Sequence, residues 1–199
     1  MSTRIILIRH GETDYSSGKR YCGITDADLN DKGIAQAQRL CQRLDREKID
    51  KVYSSDSKRA FNFARIIFKD LSIESLPGLR EINFGIFEGL GHEEILEKHP
   101  DVYAEWLKKP FDNAIPEGDS LVDFKKRVEG LFREIVSLNK GKTAAMVTHG
   151  GPIRIIIGSI LDSKNIWDKM PGLASLSIVE FKNDTGKVLL FNDRGHLDG

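Results

Sequence analysis

The sequence has few cysteines, no surplus of either charge and no apolar run long enough to span a membrane. Cys22 and Cys41 are its only cysteines. They are too few for a disulfide framework and agree with a reducing, cytoplasmic setting. Lys plus Arg and Asp plus Glu stand at 30 each, a net charge of zero. That balance predicts no attraction to nucleic acid or anionic lipid, so any anion must be held by a local cluster. The first residues offer Arg4 and a brief apolar run without a small-residue cleavage site, so no secretory signal is expected. H-E-x-x-H, paired C-x-x-C and acid-rich calcium loops are all missing, and His92-Glu93-Glu94 has the wrong spacing for a metal. Neither the P-loop nor the G-x-G-x-x-G pattern occurs. No metal and no cofactor are therefore expected. At 199 residues, with 40% hydrophobic and 30% charged, the chain fits one soluble domain over 1–199.

What is present is organised around Ile5-Ile6-Leu7-Ile8-Arg9-His10-Gly11. Four apolar residues fit a strand covered on both faces, and the charged end that follows falls where ligands collect in α/β sheets. Gly11 allows a turn there. A lone histidine after a strand more often has a structural or merely exposed role than a place in a site. A second one alters the reading: Ala144-Ala145-Met146-Val147-Thr148-His149-Gly150 repeats the design of apolar run, histidine and glycine. Two such strands can bring both imidazoles to one sheet edge.

The polar stretch 14–28 reads as a long loop bordering that edge, and Cys22 lies in it. Asn30 caps a helix with Ile34, Ala37, Cys41 and Leu44 at helical spacing, which makes Cys41 core. Residues 49–54 read as a strand, and Ser57 caps a helix with Ala60, Ala64 and Ile67 inside. Arg59, in the first turn of that helix, is either a solvated surface group or a fork for an anion at the helix terminus. Residues 73–76 form another strand. Glu81, next to Arg80, is either half of a surface ion pair or a carboxyl suited to proton transfer. Residues 92–117 are broken by Pro100, Pro110 and Pro116, with Trp106 and Phe111 available for packing, and read as a lid-like insertion. Asp119 or Ser120 then caps a helix whose Leu121, Phe124, Val128, Leu131 and Ile135 form a core stripe. Strands at 143–148, 176–181 and 187–191, a helix at 153–161 and a turn at 183–186 complete the chain, which shows no repeat and no linker. The alternation specifies an α/β fold, a three-layer α/β/α sandwich with a mostly parallel six-stranded sheet and one antiparallel strand from the closing hairpin.

Two arginines and two histidines at one point suit a phosphoryl group, whose oxygens gather charge during transfer. A neutral imidazole can attack phosphorus, and Glu81 can protonate the leaving oxygen and later deprotonate water.

Taken together and in this order, Arg9-His10-Gly11-Glu12-Thr13, Ser54-Ser55-Asp56-Ser57-Lys58-Arg59-Ala60, Leu79-Arg80-Glu81-Ile82-Asn83-Phe84-Gly85 with Glu88-Gly89, and Thr148-His149-Gly150-Gly151 resemble the histidine phosphatase superfamily, in its phosphoglycerate-mutase-like branch. The resemblance spans nearly the whole chain. It implies that His10 is the residue phosphorylated, that Arg9, Arg59 and His149 complete the phosphate pocket, and that Glu81 moves the proton. It further implies substrate contacts through Ser16, Arg20, Cys22, the backbone of Gly23 and the amide of Gly150. Ser16 stands where relatives usually carry asparagine, Ser57 where leucine is common and Phe63 where threonine is common. Mutases of the family carry an Arg-Arg pair that is absent here, where only Lys98, Lys108 and Lys109 lie between Glu88 and Pro116. The resemblance thus favours a phosphomonoesterase for a small phosphorylated metabolite, with α-ribazole 5'-phosphate of cobalamin biosynthesis as the leading substrate. A cofactor-dependent phosphoglycerate mutase and a non-catalytic relative that binds phospho-ligands or partners are the alternatives.

Overall fold

The apolar run at 5–8 is fully buried and marks the centre of the molecule. In the computed structural model, which describes residues 2–163, 165, 168–183 and 185–198, it lies in strand β1 (Thr3–Arg9). With β2 (Lys51–Ser54), β3 (Ile73–Ser75), β4 (Thr143–Thr148), β5 (Leu176–Lys182) and β6 (Thr185–Asp193) it forms a six-stranded sheet ordered β3-β2-β4-β1-β5-β6. The first four strands run parallel, β5 is antiparallel to β1, and β6 is antiparallel to β5. Of the turn expected at 183–186, Asp184 lies outside the described residues.

The helices are α1 (Asp14–Ser17), α2 (Asp31–Leu44), α3 (Lys58–Ile67), α4 (His92–Lys98), α5 (Pro100–Lys108), α6 (Leu121–Leu138) and α7 (Gly150–Ile160). Side chains alternate along β1, so Ile5 and Leu7 pack with Phe124 and Val128 of α6 and Ile153 of α7. Ile6 and Ile8 pack on the other face with Ala37 and Leu40 of α2 and Phe63 of α3. This is the α/β/α sandwich. Each such fully covered Ile, Leu, Val or Phe side chain contributes about 1.5–3 kcal/mol relative to exposure.

The α2 stripe sits differently from the expected one. Ile34 is exposed and Cys41 only half-buried, while Gln36 and Leu40 are inside. Gln36 is tolerated there because its Oε1 accepts the Glu12 N–H at 2.8 Å. In the 14–28 stretch the sequence conceals α1, capped by Thr13. On α6, Phe132 is buried where Leu131 only flanks the core. Segment 92–117 folds α4 and α5 around its own small core of Phe87, Ile95, Tyr103, Trp106 and Ile115, and Phe111 remains exposed.

Register then determines the site. β1 and β4 pair from Arg4↔Thr143 to Arg9↔Thr148, so His10 and His149 leave the sheet side by side. The Ser55 N–H donates to the Val147 carbonyl at 2.9 Å, which brings the end of β2 to the same edge. Space rather than backbone angle demands glycine after His10. A Cβ on Gly11 would lie 2.6 Å from Phe63 Cε2 and 2.9 Å from the Gly33 carbonyl oxygen.

Candidate active site

The two imidazoles have ring centroids 5.1 Å apart. His10 Nδ1 lies 2.8 Å from the Gly11 carbonyl, which can only accept, so that nitrogen carries the proton. Nε2 of His10 is thereby left with its lone pair. His149 is fully buried, and its Nε2 lies 2.9 Å from Ser55 Oγ. Ser55 Oγ also accepts from the Ser57 N–H and reaches Ser57 Oγ, both at 3.3 Å; with its hydrogen turned to Nε2 instead, Nδ1 of His149 carries the ring proton.

Arg59, 1% exposed, is no surface arginine. Its Nη1 donates to the Thr25 carbonyl at 2.8 Å and its Nη2 to those of Gly23 at 2.7 Å and Cys22 at 3.2 Å. Arg9 Nη1 donates to the Pro171 carbonyl at 2.6 Å. Nε of Arg9, Nε of Arg59 and Nδ1 of His149 are buried with no hydrogen-bond partner in the protein. Unpaired buried donors of this kind are costly, and an anion within their reach relieves that cost.

Burial foremost, then the charges of Arg59 and Arg9, holds the His10 pKa well below the ordinary 6.5. Burial, then Arg59, His10 and Arg9, does the same for His149. Both rings are neutral in the folded protein, and below pH 6.5 the unfolded chain binds protons that the fold refuses. Stability therefore falls as pH drops through that region, by at most about 1.4 kcal/mol per pH unit for each ring. Urea titrations at about pH 7.5 and about pH 5 should show the loss, with a smaller loss in His149→Gln; identical losses would deny the burial of a neutral ring.

Glu81 is not the partner of Arg80. Arg80 forms a two-pronged pair with Asp56 at 2.6 and 2.5 Å. Glu81 Oε2 accepts the Gly151 N–H at 2.9 Å, and Oε1 accepts the Ile82 N–H at 3.1 Å. A Cβ on Gly151 would lie 2.0 Å from Glu81 Oε1, so only glycine leaves room for this carboxyl. Arg127 steadies the segment from behind, with Nη1 on the carbonyls of Gly78 and Arg80 and Nη2 on that of Glu81 at 3.3 Å.

A cleft of about 300 Å³ opens on these groups, lined by Arg9, His10, Ser16, Arg20, Cys22, Arg59, Glu81 and Gly150 among others. Thus eight of the ten predicted positions face it, and His149 lies against His10. Ser16 is partly committed, because its Oγ donates to the Thr13 carbonyl and accepts the Thr13 N–H, both at 2.9 Å. Arg20 reaches the Gly89 carbonyl at 2.6 Å and Glu94 at 2.7 Å. Gly23 departs from expectation. It falls behind the cleft wall, where its N–H donates to Glu88 at 2.9 Å and its carbonyl holds Arg59. Its backbone is committed to scaffolding and makes no contact with the cleft. A larger cavity of about 670 Å³ between α6, α7 and the hairpin contains no histidine, so volume is a poor guide here.

Sequence reasoning passed over Arg127, and it named Ser55, Gly151 and Glu88 only as members of motifs, without the contacts they make. Glu88 accepts the N–H groups of Gly23, Ile24, Thr25 and Phe84 and the Thr25 hydroxyl, and so shapes the loop whose carbonyls hold Arg59. An acid between Phe87 and Gly89 in an apolar stretch was the one signal for it. Among the described residues, no three His, Cys, Asp or Glu side chains are grouped to hold a metal ion. No described helix is long and apolar enough to cross a membrane.

Known proteins with similar sequences and folds point the same way. The sequence model of the histidine phosphatase superfamily (branch 1) matches residues 5–194. The metal-independent phosphoserine phosphatase of Arabidopsis thaliana is 32% identical over 200 residues, covering 98% of this chain and 83% of its own. The adenosylcobalamin/alpha-ribazole phosphatase of Salmonella typhimurium is 30% identical over 169 residues, covering 82% of this chain and 83% of its own. The solved structure of YhfR from Bacillus stearothermophilus superposes with a TM-score of 0.91 at 30% identity, covering 98% of this chain and 99% of that one.

Proposed function

The chain belongs to the histidine phosphatase superfamily (branch 1) and is a phosphoric monoester hydrolase for small phosphorylated metabolites, and from that premise we propose that it works through a phosphohistidine on His10 without a metal. One observation carries the reading: Nε2 of His10 is left with its lone pair beside His149 and in a cleft lined by Arg9 and Arg59, each of the three with a buried nitrogen that has no protein partner.

In the first step Nε2 of His10 attacks phosphorus and the ester P–O bond breaks. Nε of Arg9, Nε of Arg59, Nδ1 of His149 and the amide of Gly150 receive the charge on the equatorial oxygens. The Glu81 carboxyl gives a proton to the leaving alkoxide. In the second step Glu81 takes a proton from water, which attacks phosphorus, and the N–P bond breaks to release inorganic phosphate. Fixed guanidiniums at the helix-end site do for the phosphoryl charge what a metal does elsewhere.

The insertion at 92–117 acts as a lid, tied to the loop that follows β1 by Arg20 and Glu94. α-Ribazole 5'-phosphate is the leading substrate. O-phosphoserine is a second, favoured by the name and 32% identity of the Arabidopsis relative. Two unpaired cysteines fit a cytoplasmic setting. The complete set of His10, Arg9, Arg59, Glu81 and His149 argues against a merely binding relative.

Hydrolysis of p-nitrophenyl phosphate in excess EDTA should proceed undiminished, and activity that vanished with the chelator and returned with a divalent cation would overturn the mechanism. With 3-phosphoglycerate and bisphosphoglycerate the product should be inorganic phosphate; an isomerised phosphoglycerate would favour the mutase.

A further inference from the structure

The phosphate cleft does not end at Glu81. On the far side of that carboxyl lies a second cavity of about 330 Å³, and Tyr21, Glu81, Phe84 and Met170 line both. Proton donation fixes what enters it. The oxygen that leaves phosphorus must lie beside Glu81, so the carbon body of the alcohol extends into the space past Glu81. That space is walled by Phe84, Trp106, Leu107, Phe124 and Ile155, with Tyr21 at the junction. Tyr21 turns its hydroxyl to Tyr103 Oη at 3.0 Å, and its ring stands edge-on to Phe84 and Trp106 of the cavity wall, with centroids 5.0 and 6.4 Å away. Two charged side chains are among the lining residues, Glu81 itself and Arg154.

We infer that this annex is the leaving-group subsite and that it selects phosphomonoesters whose alcohol carries an apolar ring. The inference rests on the proposed hydrolase reading and narrows its substrate by chemistry. A short polar alcohol makes little contact with this wall, whereas a ring packs against it and displaces water from the cavity. At about 330 Å³ the cavity has the volume of a small-ligand pocket. Trp106 and Leu107 come from α5, so the inserted segment supplies the selective wall.

The test compares 2-phenylethyl phosphate, ethyl phosphate and O-phosphoserine. The first two are alkyl esters with similar leaving groups, so binding separates them. We expect kcat/KM for 2-phenylethyl phosphate to exceed that of each of the others by at least about tenfold, mainly through KM. Leu107, 42% exposed, can be changed without disturbing the core. In Leu107→Glu the ratio of 2-phenylethyl to ethyl phosphate should fall toward one. Equal kcat/KM for all three esters, preference for O-phosphoserine, or a ratio untouched by Leu107→Glu would overturn the subsite while leaving the hydrolase reading intact. Failure to hydrolyse any ester, p-nitrophenyl phosphate included, would sink the hydrolase reading and the subsite with it.

Discussion

His10→Gln is expected to lower kcat/KM for p-nitrophenyl phosphate by at least about four orders of magnitude while leaving the phosphate pocket able to bind. Glutamine is close to histidine in size and can still donate to the Gly11 carbonyl that holds Nδ1 at 2.8 Å. What it lacks is a basic nitrogen lone pair at the position of Nε2. His10 is buried, and burial together with two neighbouring guanidiniums keeps it neutral, so the substitution exchanges one neutral buried group for another. The fold should therefore survive, which a thermal melt within a few degrees of the wild type would show. Arg9, Arg59 and His149 are untouched, so inorganic phosphate should bind the variant nearly as well as the wild type. A variant that kept more than about a hundredth of the activity would remove His10 from the chemistry.

Gly151→Ala is expected to act at a distance from phosphorus, through Glu81. The added methyl would start 2.0 Å from Oε1 and 3.0 Å from Cδ of that carboxyl, with Phe124 at 3.0 Å closing the other side. The carboxyl must swing away and gives up the Gly151 amide that holds it at 2.9 Å. An alkyl phosphate needs its leaving oxygen protonated, and nitrophenolate does not. Since kcat/KM reports events up to the first irreversible step, it should fall by about a hundredfold to a thousandfold for an alkyl phosphate. For p-nitrophenyl phosphate the fall should be below about tenfold. Glu81→Gln should show the same division between the two esters, and the double variant should be little worse than either single one, because both remove one function. Equal losses for both esters would deny Glu81 the acid role.

The sheet was legible because its signals are local. Apolar runs at 5–8 and 144–147 need no partner to be recognised as buried strands, and each delivers its histidine at the end that binds ligands. On helix α2, Ala37 and Leu44 are buried as expected, while Gln36 and Leu40 stand inside where Ile34 and Cys41 were placed. The periodicity counts Gln36 as polar, and only the folded chain brings it the amide of Glu12 that makes its burial tolerable. The residues grouped by motif, His10, Arg9, Arg59, Glu81 and His149, lie together around one cleft, though composition and spacing alone left Arg59 and Glu81 open between surface and site. What the chain could not disclose is the support behind them. Ser55 meets His149 across 94 positions, Gly151 meets Glu81 across 70, and Glu88 meets Gly23 across 65. Contacts of that range depend on the sheet register, which no short pattern encodes. Gly23 shows the converse, a loop residue beside the cleft whose donor and acceptor are both taken by scaffold partners.

Stereochemistry at phosphorus tests the covalent step most directly. Hydrolysis of a phosphorothioate monoester made chiral with two oxygen isotopes, run in water carrying the third, passes through two in-line displacements if His10 is phosphorylated, and the thiophosphate should then be released with overall retention of configuration. Inversion would mean that water attacks the substrate in a single displacement, and the phosphohistidine mechanism would be wrong.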